Sequence, residues 1–174
     1  PILFVSDRCG SACDRMRDGM DERFDFEEFD AFDDATGSAL FSQNGGFGRL
    51  PYVVIGDQQI VGGDPGAIIS AIAIEYGDWQ LPVEEREALS RHFDEDGKPR
   101  FVMYATSWCG YCKKAREYLD GRDVELVEFD IETDLSARQD YETLRGMGTP
   151  LIYRGYERVQ GFSIAGLEPL IDAE

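Results

Sequence analysis

Short apolar runs alternate along the chain with amphipathic stretches and polar turns, and the order of these segments predicts the fold. Residues 2–5 and 101–105 are continuous apolar runs of strand length, and so are the segments that begin at Pro51 and Pro150. Phe24 to Phe32 alternates aromatic with acidic residues, as a half-buried strand should, and Val124 to Phe129 supplies a further strand. Helices are predicted over 113–119, over roughly 134–145 from a cap at Thr133 or Asp134, and over 83–93 after Pro82. Gly56-Asp57 and Arg154-Gly155 read as tight hairpin turns. Asp64 before Pro65 reads as a helix cap with proline in the first turn, and Ser163 can cap the final helix.

The two halves repeat one order of elements: strand, helix, strand, helix, strand, strand, helix. Each half opens on an apolar run that ends in a cysteine pair, and each has a proline 38 residues after the second cysteine, from 13 to 51 and from 112 to 150. A strand–helix–strand unit requires a parallel pair joined by a right-handed crossover, and the closing hairpin adds antiparallel strands. The predicted class is therefore α/β, with two tandem domains that are each a small mixed four-stranded sheet flanked by helices. The expected limits are 1–78 and 100–174, with 79–99 as a linker that contains the helix after Pro82 and a turn at residues 96–99. In the first half the glycines at 37, 45, 46 and 48 lead to the expectation that the second helix is short or missing.

The chain has 174 residues and is 43% hydrophobic, enough for two small packed cores. Its net charge is −18, and 14 of its 17 basic residues are arginine. That charge argues against nucleic acid or an anionic membrane as a partner. No run approaches the roughly 18 apolar residues of a spanning helix. The chain opens on Pro1 and enters its first strand at once, as expected where a leading segment has been trimmed, so the compartment stays open.

The chemistry lies in the cysteines. Cys109 and Cys112, spaced Cys-x-x-Cys, fall where a strand gives way to a helix. Cys109 is thus expected at a helix N-terminus, where unpaired backbone N–H groups and the positive end of the macrodipole favour a thiolate. Cys112 lies one turn further in, close enough to close a disulfide. A zinc site would need two further ligands from Cys9, Cys13 and the single His92, which are not at zinc-finger spacing. The first-half pair, Cys9 and Cys13, has three intervening residues. Its closure is expected to be strained or to need a bulge, and three accounts stay open: a second redox pair of different potential, a degenerate binding domain, or a structural disulfide. Arg8 would favour a thiolate at Cys9, whereas Asp7 and Asp14 would oppose it.

Trp108-Cys-Gly-Tyr-Cys112 after the first strand and Thr149-Pro150 before the third resemble the glutaredoxin branch of the thioredoxin superfamily, over nearly all of residues 100–174. The resemblance implies a thioredoxin-like (glutaredoxin-type) fold, a cis Pro150 facing the dithiol, and thiol–disulfide exchange by Cys109 with Cys112 as the resolving thiol. It further implies glutathione as cosubstrate and disulfide-containing proteins as partners. Around the pair, Trp108 and Tyr111 would offer an apolar platform, and Lys113 with Lys114 a positive patch for carboxylates. Thr149, Gly161, Phe162 and Ser163 would complete the binding surface. In the first half Pro51 keeps the proline, and Gly62-Gly63-Asp64 resembles the segment that binds the glutamyl end of glutathione, with Arg8 beside Cys9. Gln160-Gly161-Phe162-Ser163 instead resembles NrdH-like redoxins, which are reduced by thioredoxin reductase. A glutaredoxin-type 2Fe–2S cluster held through the nucleophilic cysteine, and a non-catalytic partner-binding module, are the remaining alternatives.

Overall fold

The computed structural model describes residues 1–173 and divides into two compact units, Pro1–Glu75 and Tyr76–Glu174. The first unit runs β1 (Ile2–Val5), α1 (Ser11–Asp21), β2 (Glu27–Asp30), α2 (Ala35–Gln43), β3 (Tyr52–Ile55), β4 (Gln58–Val61) and α3 (Gly66–Tyr76), the last helix ending at the boundary. The second opens with a short 3-10 turn at Asp78–Gln80 and α4 (Val83–Ser90). It continues with β5 (Phe101–Ala105), α5 (Gly110–Asp120), β6 (Leu126–Asp130), α6 (Leu135–Thr143), β7 (Leu151–Arg154), β8 (Glu157–Gln160) and α7 (Ile164–Asp172). The sheet orders are β2-β1-β3-β4 and β6-β5-β7-β8, each with one parallel pair and two antiparallel pairs. These are two α/β domains of thioredoxin type, each a four-stranded mixed sheet with helices packed on it.

Both faces of the central strand β5 are covered, so all five of its residues are buried. Met103 and Ala105 pack with Cys112, Ala115 and Leu119 of α5, with Ile152 of β7 and with Leu167 of α7. In the first unit Phe4 stands at the centre of an aromatic group, 5.4 Å from Phe41 and 6.1 Å from Tyr52 between ring centroids. Equivalent ion pairs tie α1 to β2 in the first unit and α5 to β6 in the second. Arg17 donates to both carboxylate oxygens of Glu28 at 2.7 and 2.9 Å, and Arg116 does the same to Glu128 at 2.6 and 2.9 Å. These pairs are partly exposed, so they fix orientation more than they add stability.

The helix expected to be short or missing in the first half is present. α2 has nine residues, the same length as α6, because three of the four glycines fall beyond its end. Asp34 caps it by accepting from the Gly37 N–H at 2.6 Å, as Asp134 caps α6 through Ser136 and Ala137 at 2.8 and 3.1 Å. Gly37 is required by packing, since a Cβ there would overlap the Asp30 carbonyl oxygen. Gly37→Ala is expected to destabilise the first unit by about 1–3 kcal/mol, read as a lowered thermal midpoint, despite the better helix propensity of alanine. The strand expected over 24–32 is shorter, Glu27–Asp30, because only these residues pair with β1.

The strand registers show why the two halves share a 38-residue spacing. Val5 pairs with Asp30 and Ala105 with Asp130, so Cys13 to Asp30 is one residue shorter than Cys112 to Asp130. Arg49, between Gly48 and Leu50, restores the count, since Gly148 is followed directly by Thr149 and Pro150. The equal spacings thus arise from two compensating changes.

Residues 79–99, expected from the sequence as a linker, belong with residues 76–78 to the second unit. α4 lies against α6, and the Arg91 guanidinium pairs with Asp140. His92 is fully buried, its ring stacked on Tyr153 at 4.2 Å between centroids. Its Nδ1 lies 3.1 Å from the Gly155 carbonyl oxygen, which can only accept, so Nδ1 carries the proton and Nε2 accepts from the Tyr104 hydroxyl at 3.0 Å. Burial pushes the imidazole pKa down to about 3, with Arg100, Arg158 and Arg91 adding to the fall against the Gly155 bond. The Tyr104 hydroxyl is pushed up, chiefly by its own burial.

Candidate functional site

At the second-unit dithiol the helix begins at Gly110, three residues before the stretch predicted over 113–119. Cys109 itself is the N-cap of α5, in extended backbone (φ −70°, ψ 108°), and Gly110 is the first helical residue. The cap is made by sulfur: the Cys112 backbone N–H points at Cys109 Sγ at 3.1 Å. The sulfur thus has a specific N–H donor in addition to the positive end of the helix macrodipole. Cys109 and Cys112 form a disulfide with a Cα separation of 5.2 Å. Cys109 keeps 7% of its surface exposed and Cys112 none, so a partner can reach the first sulfur only.

The opposite wall is the turn before β7. Thr149-Pro150 is cis, and the Thr149 carbonyl oxygen lies 3.4 Å from Cys109 Sγ. The Gly161 N–H donates to the Pro150 carbonyl at 2.8 Å, which locks this turn to the end of β8. Gly161 has φ 83°, a left-handed conformation that suits glycine. Phe162 packs on the core that contains both cysteines and meets Tyr118 edge-on at 6.1 Å. Ser163 is engaged elsewhere, capping α7 through the Gly166 N–H at 3.1 Å.

Trp108 and Tyr111 are 73% and 60% exposed, so neither is a core residue. Lys114 Nζ lies over the Tyr111 ring at 5.1 Å, and Lys113 pairs loosely with Glu117 at 3.8 Å. A residue not singled out from the sequence holds the indole: Glu132 accepts from the Trp108 indole N–H at 3.0 and 3.1 Å. Its signal was local, since Asp130 accepts from the Glu132 and Thr133 N–H groups at 2.8 and 3.3 Å in a turn after β6.

In the first unit Leu50-Pro51 is also cis, and the Gly62 N–H donates to the Pro51 carbonyl at 2.9 Å. Gly63 sits close against α1, where a Cβ would come within 3.0 Å of Ala12 Cα, and its carbonyl accepts from Arg15 at 3.4 Å. Asp64 accepts from the Gly66 N–H at 3.1 Å at the start of α3. Cys9 and Cys13 form a disulfide with a Cα separation of 5.6 Å. The extra residue is absorbed by Gly10, the N-cap of α1, at φ 57°. A cleft of about 650 Å³ lies beside Cys9, lined among others by Asp7, Arg8, Phe32, Asp33 and Leu50.

Phe32 takes the place that Glu132 has in the second unit, held by the same turn. The Phe32 and Asp33 N–H groups donate to Asp30 at 2.8 and 2.6 Å, and they hold its carboxyl below the ordinary carboxylate range. Among the described residues no group of three or more His, Cys, Asp or Glu is placed to hold a metal ion, and no helix is long and apolar enough to cross a membrane.

An N-cap cysteine with a second cysteine one turn inward, opposite a cis-proline turn on a four-stranded mixed sheet, defines a thioredoxin-fold dithiol protein. A profile of the family described as Glutaredoxin matches residues 101–159. An uncharacterized glutaredoxin-like 8.6 kDa protein in a rubredoxin operon of Clostridium pasteurianum is 30% identical over 71 residues, covering 40% of this chain and 95% of that protein. Solved structures similar to this chain include a thioredoxin-like protein (30% identity, 43% of this chain and 97% of that one, TM-score 0.40). Another is a glutaredoxin from Archaeoglobus fulgidus (22%, 42% and 87%, TM-score 0.38). A buckwheat glutaredoxin–glutathione complex is 14% identical over 47% of this chain and 77% of that one, with TM-score 0.36. The chain belongs to the glutaredoxin family of the thioredoxin superfamily, and its fold is one that supports thiol–disulfide redox chemistry.

Proposed function

We propose that the protein is a glutathione-linked thiol–disulfide oxidoreductase in which Cys109 is the nucleophile and Cys112 the resolving thiol. The observation that carries this reading is the Cys112 N–H aimed at Cys109 Sγ, with the Thr149 carbonyl across from it. The Cys109 thiolate attacks one sulfur of a substrate disulfide and expels the other half as a thiolate, leaving a mixed disulfide. Cys112, deprotonated, then attacks Cys109 Sγ, releases the reduced substrate and closes the internal disulfide. Two glutathione molecules restore the dithiol and leave as glutathione disulfide. The buried position of Cys112 supports the order of events, because an external disulfide meets Cys109 first.

Where glutathione itself is the partner, the mixed disulfide can be resolved by a second glutathione, so Cys112 is dispensable for that route. Cys112→Ser is therefore expected to retain deglutathionylation of a mixed-disulfide substrate within about threefold while losing reduction of protein disulfides by about a hundredfold or more. Loss of both activities would sink the one-thiol route.

The Gln160-Gly161-Phe162-Ser163 segment favours one second reading, a redoxin fed by thioredoxin reductase. Gln160 braces the site turn, donating to the Gly148 carbonyl at 2.8 Å and accepting from the Met147 N–H at 3.1 Å. Turnover with glutathione and its reductase, measured beside turnover with thioredoxin reductase, separates the two. Activity with the second donor alone would overturn the glutathione linkage and leave the dithiol roles intact.

A further inference from the structure

We propose that Cys9–Cys13 is a second redox centre, poised at a lower reduction potential than Cys109–Cys112, so that electrons placed on the first pair run downhill to the second. Both pairs put their second cysteine at the third helical position, Cys13 in α1 and Cys112 in α5. They differ in where the first cysteine stands. Cys109 is the N-cap and receives the Cys112 N–H on its sulfur. Cys9 is displaced one residue outward by Gly10, and the Cys13 N–H is taken instead by the Gly10 carbonyl oxygen at 3.0 Å. The donor that stabilises a thiolate in the second unit is therefore spent on backbone in the first.

The charges beside the pairs differ as well, mixed in the first unit and led by two lysines in the second. Lys113 and Lys114 follow Cys112, whereas Asp14 follows Cys13, paired to Arg17 at 3.0 Å. Asp7 and Asp33 line the cleft beside Cys9, opposed there by Arg8. A disulfide whose reduced form is less stabilised is harder to reduce, so the first pair is the stronger reductant.

Cys9 is half-buried and lines the cleft, whereas Cys13 is buried, so the bond can be entered from one side as an exchange reaction requires. A thiolate of an external dithiol attacks Cys9 Sγ, and Cys13 leaves as a thiolate. The second thiol of the reductant then displaces Cys9 and departs as a disulfide, leaving two electrons on the pair. In the forward step the Cys9 thiolate attacks Cys109 Sγ of an oxidised second pair on another copy of the chain, and Cys112 is expelled. Cys13 then closes on Cys9 and frees Cys109, so one disulfide is formed for each one broken and the two protons pass from the first pair to the second.

The test is an equilibrium titration of the full chain against dithiothreitol in defined oxidised-to-reduced ratios, quenched with acid, alkylated, and read by peptide mass for each pair separately. The Cys109–Cys112 bond is expected to open at a reductant ratio at least tenfold lower than Cys9–Cys13, about 30 mV for a two-electron couple. Coincident midpoints, the reverse order, or a Cys9–Cys13 bond that stays closed at every ratio would overturn the proposal.

Deleting Gly10 restores the two-residue spacing and is expected to move the first midpoint toward the second by at least threefold. Asp14→Lys, at an exposed position, tests the charge component if the deletion does not fold. If every folded variant leaves the midpoint where it was, the stated cause is wrong. The titration needs no turnover, so its failure and a failure of the proposed reductase activity are read independently.

Discussion

Replacing Cys109 with serine is expected to remove thiol–disulfide reductase activity, with kcat/KM falling by at least about a thousandfold. The effect is large because the substitution removes the only sulfur of the second pair that an external disulfide can reach, Cys112 being fully buried beneath it. Serine is also an efficient helix N-cap, and its oxygen can take over the bond from the residue-112 N–H, so the fold should be undisturbed. The thermal midpoint of the variant should stay close to that of the reduced wild type. Measured on a low-molecular-weight disulfide, more than a tenth of wild-type activity in Cys109→Ser would refute the assignment of the nucleophile.

His92→Ala is expected to cost about 3–5 kcal/mol, a large share of the stability of a small domain. Three interactions are lost together: the Nδ1–H bond to the Gly155 carbonyl, the Tyr104 hydroxyl bond to Nε2, and the stack on Tyr153. The two partners are left in the core without their hydrogen bonds, beside a cavity the size of an imidazole. The same residue sets an acid limit. Its folded-state pKa of about 3 lies below the ordinary value of 6.5, so protonation favours the unfolded chain. The stabilisation from neutral His92 is complete above about pH 6.5 and is lost as pH falls from there toward 3, by up to about 1.4 kcal/mol per pH unit. Denaturant unfolding of wild type and variant from pH 7 to pH 4 isolates this contribution from that of the carboxylates. The difference in stability between them should shrink as the solution is acidified, and a constant difference would show that His92 is not the titrating group.

The reactive pair was the most legible part of the molecule. An apolar run, a turn, two cysteines and a helix-forming stretch are all local signals, and together they placed Cys109 at a helix start and Cys112 one turn inside. The elements hidden from sequence were those fixed by tertiary contact. Four glycines at 37, 45, 46 and 48 argue locally against α2, yet Gly37 is dictated by the Asp30 carbonyl and the other three lie past the helix. His92 gave no local signal, because its two partners are 12 and 63 residues away. The position of Trp108 beside the dithiol was legible, whereas its bond to Glu132 was not, since the turn signal at Asp130 does not say that the carboxylate meets a residue 24 positions earlier. The matched 38-residue spacings identified the repeat while concealing two opposite changes in loop length that only the strand registers separate.

The packing of residues 76–99 bears on where this chain can be divided. A cut placed at residue 100, ahead of the motif that defines the family, would leave β5 to α7 formally complete and would discard α4, Arg91 and His92. The sheet face carrying Tyr104 and Tyr153 would then lose the imidazole between them, and Asp140 its guanidinium. For excision, fusion or domain exchange, the portable module is the longer one that starts at Tyr76. Its first 24 residues are the lid of its own core.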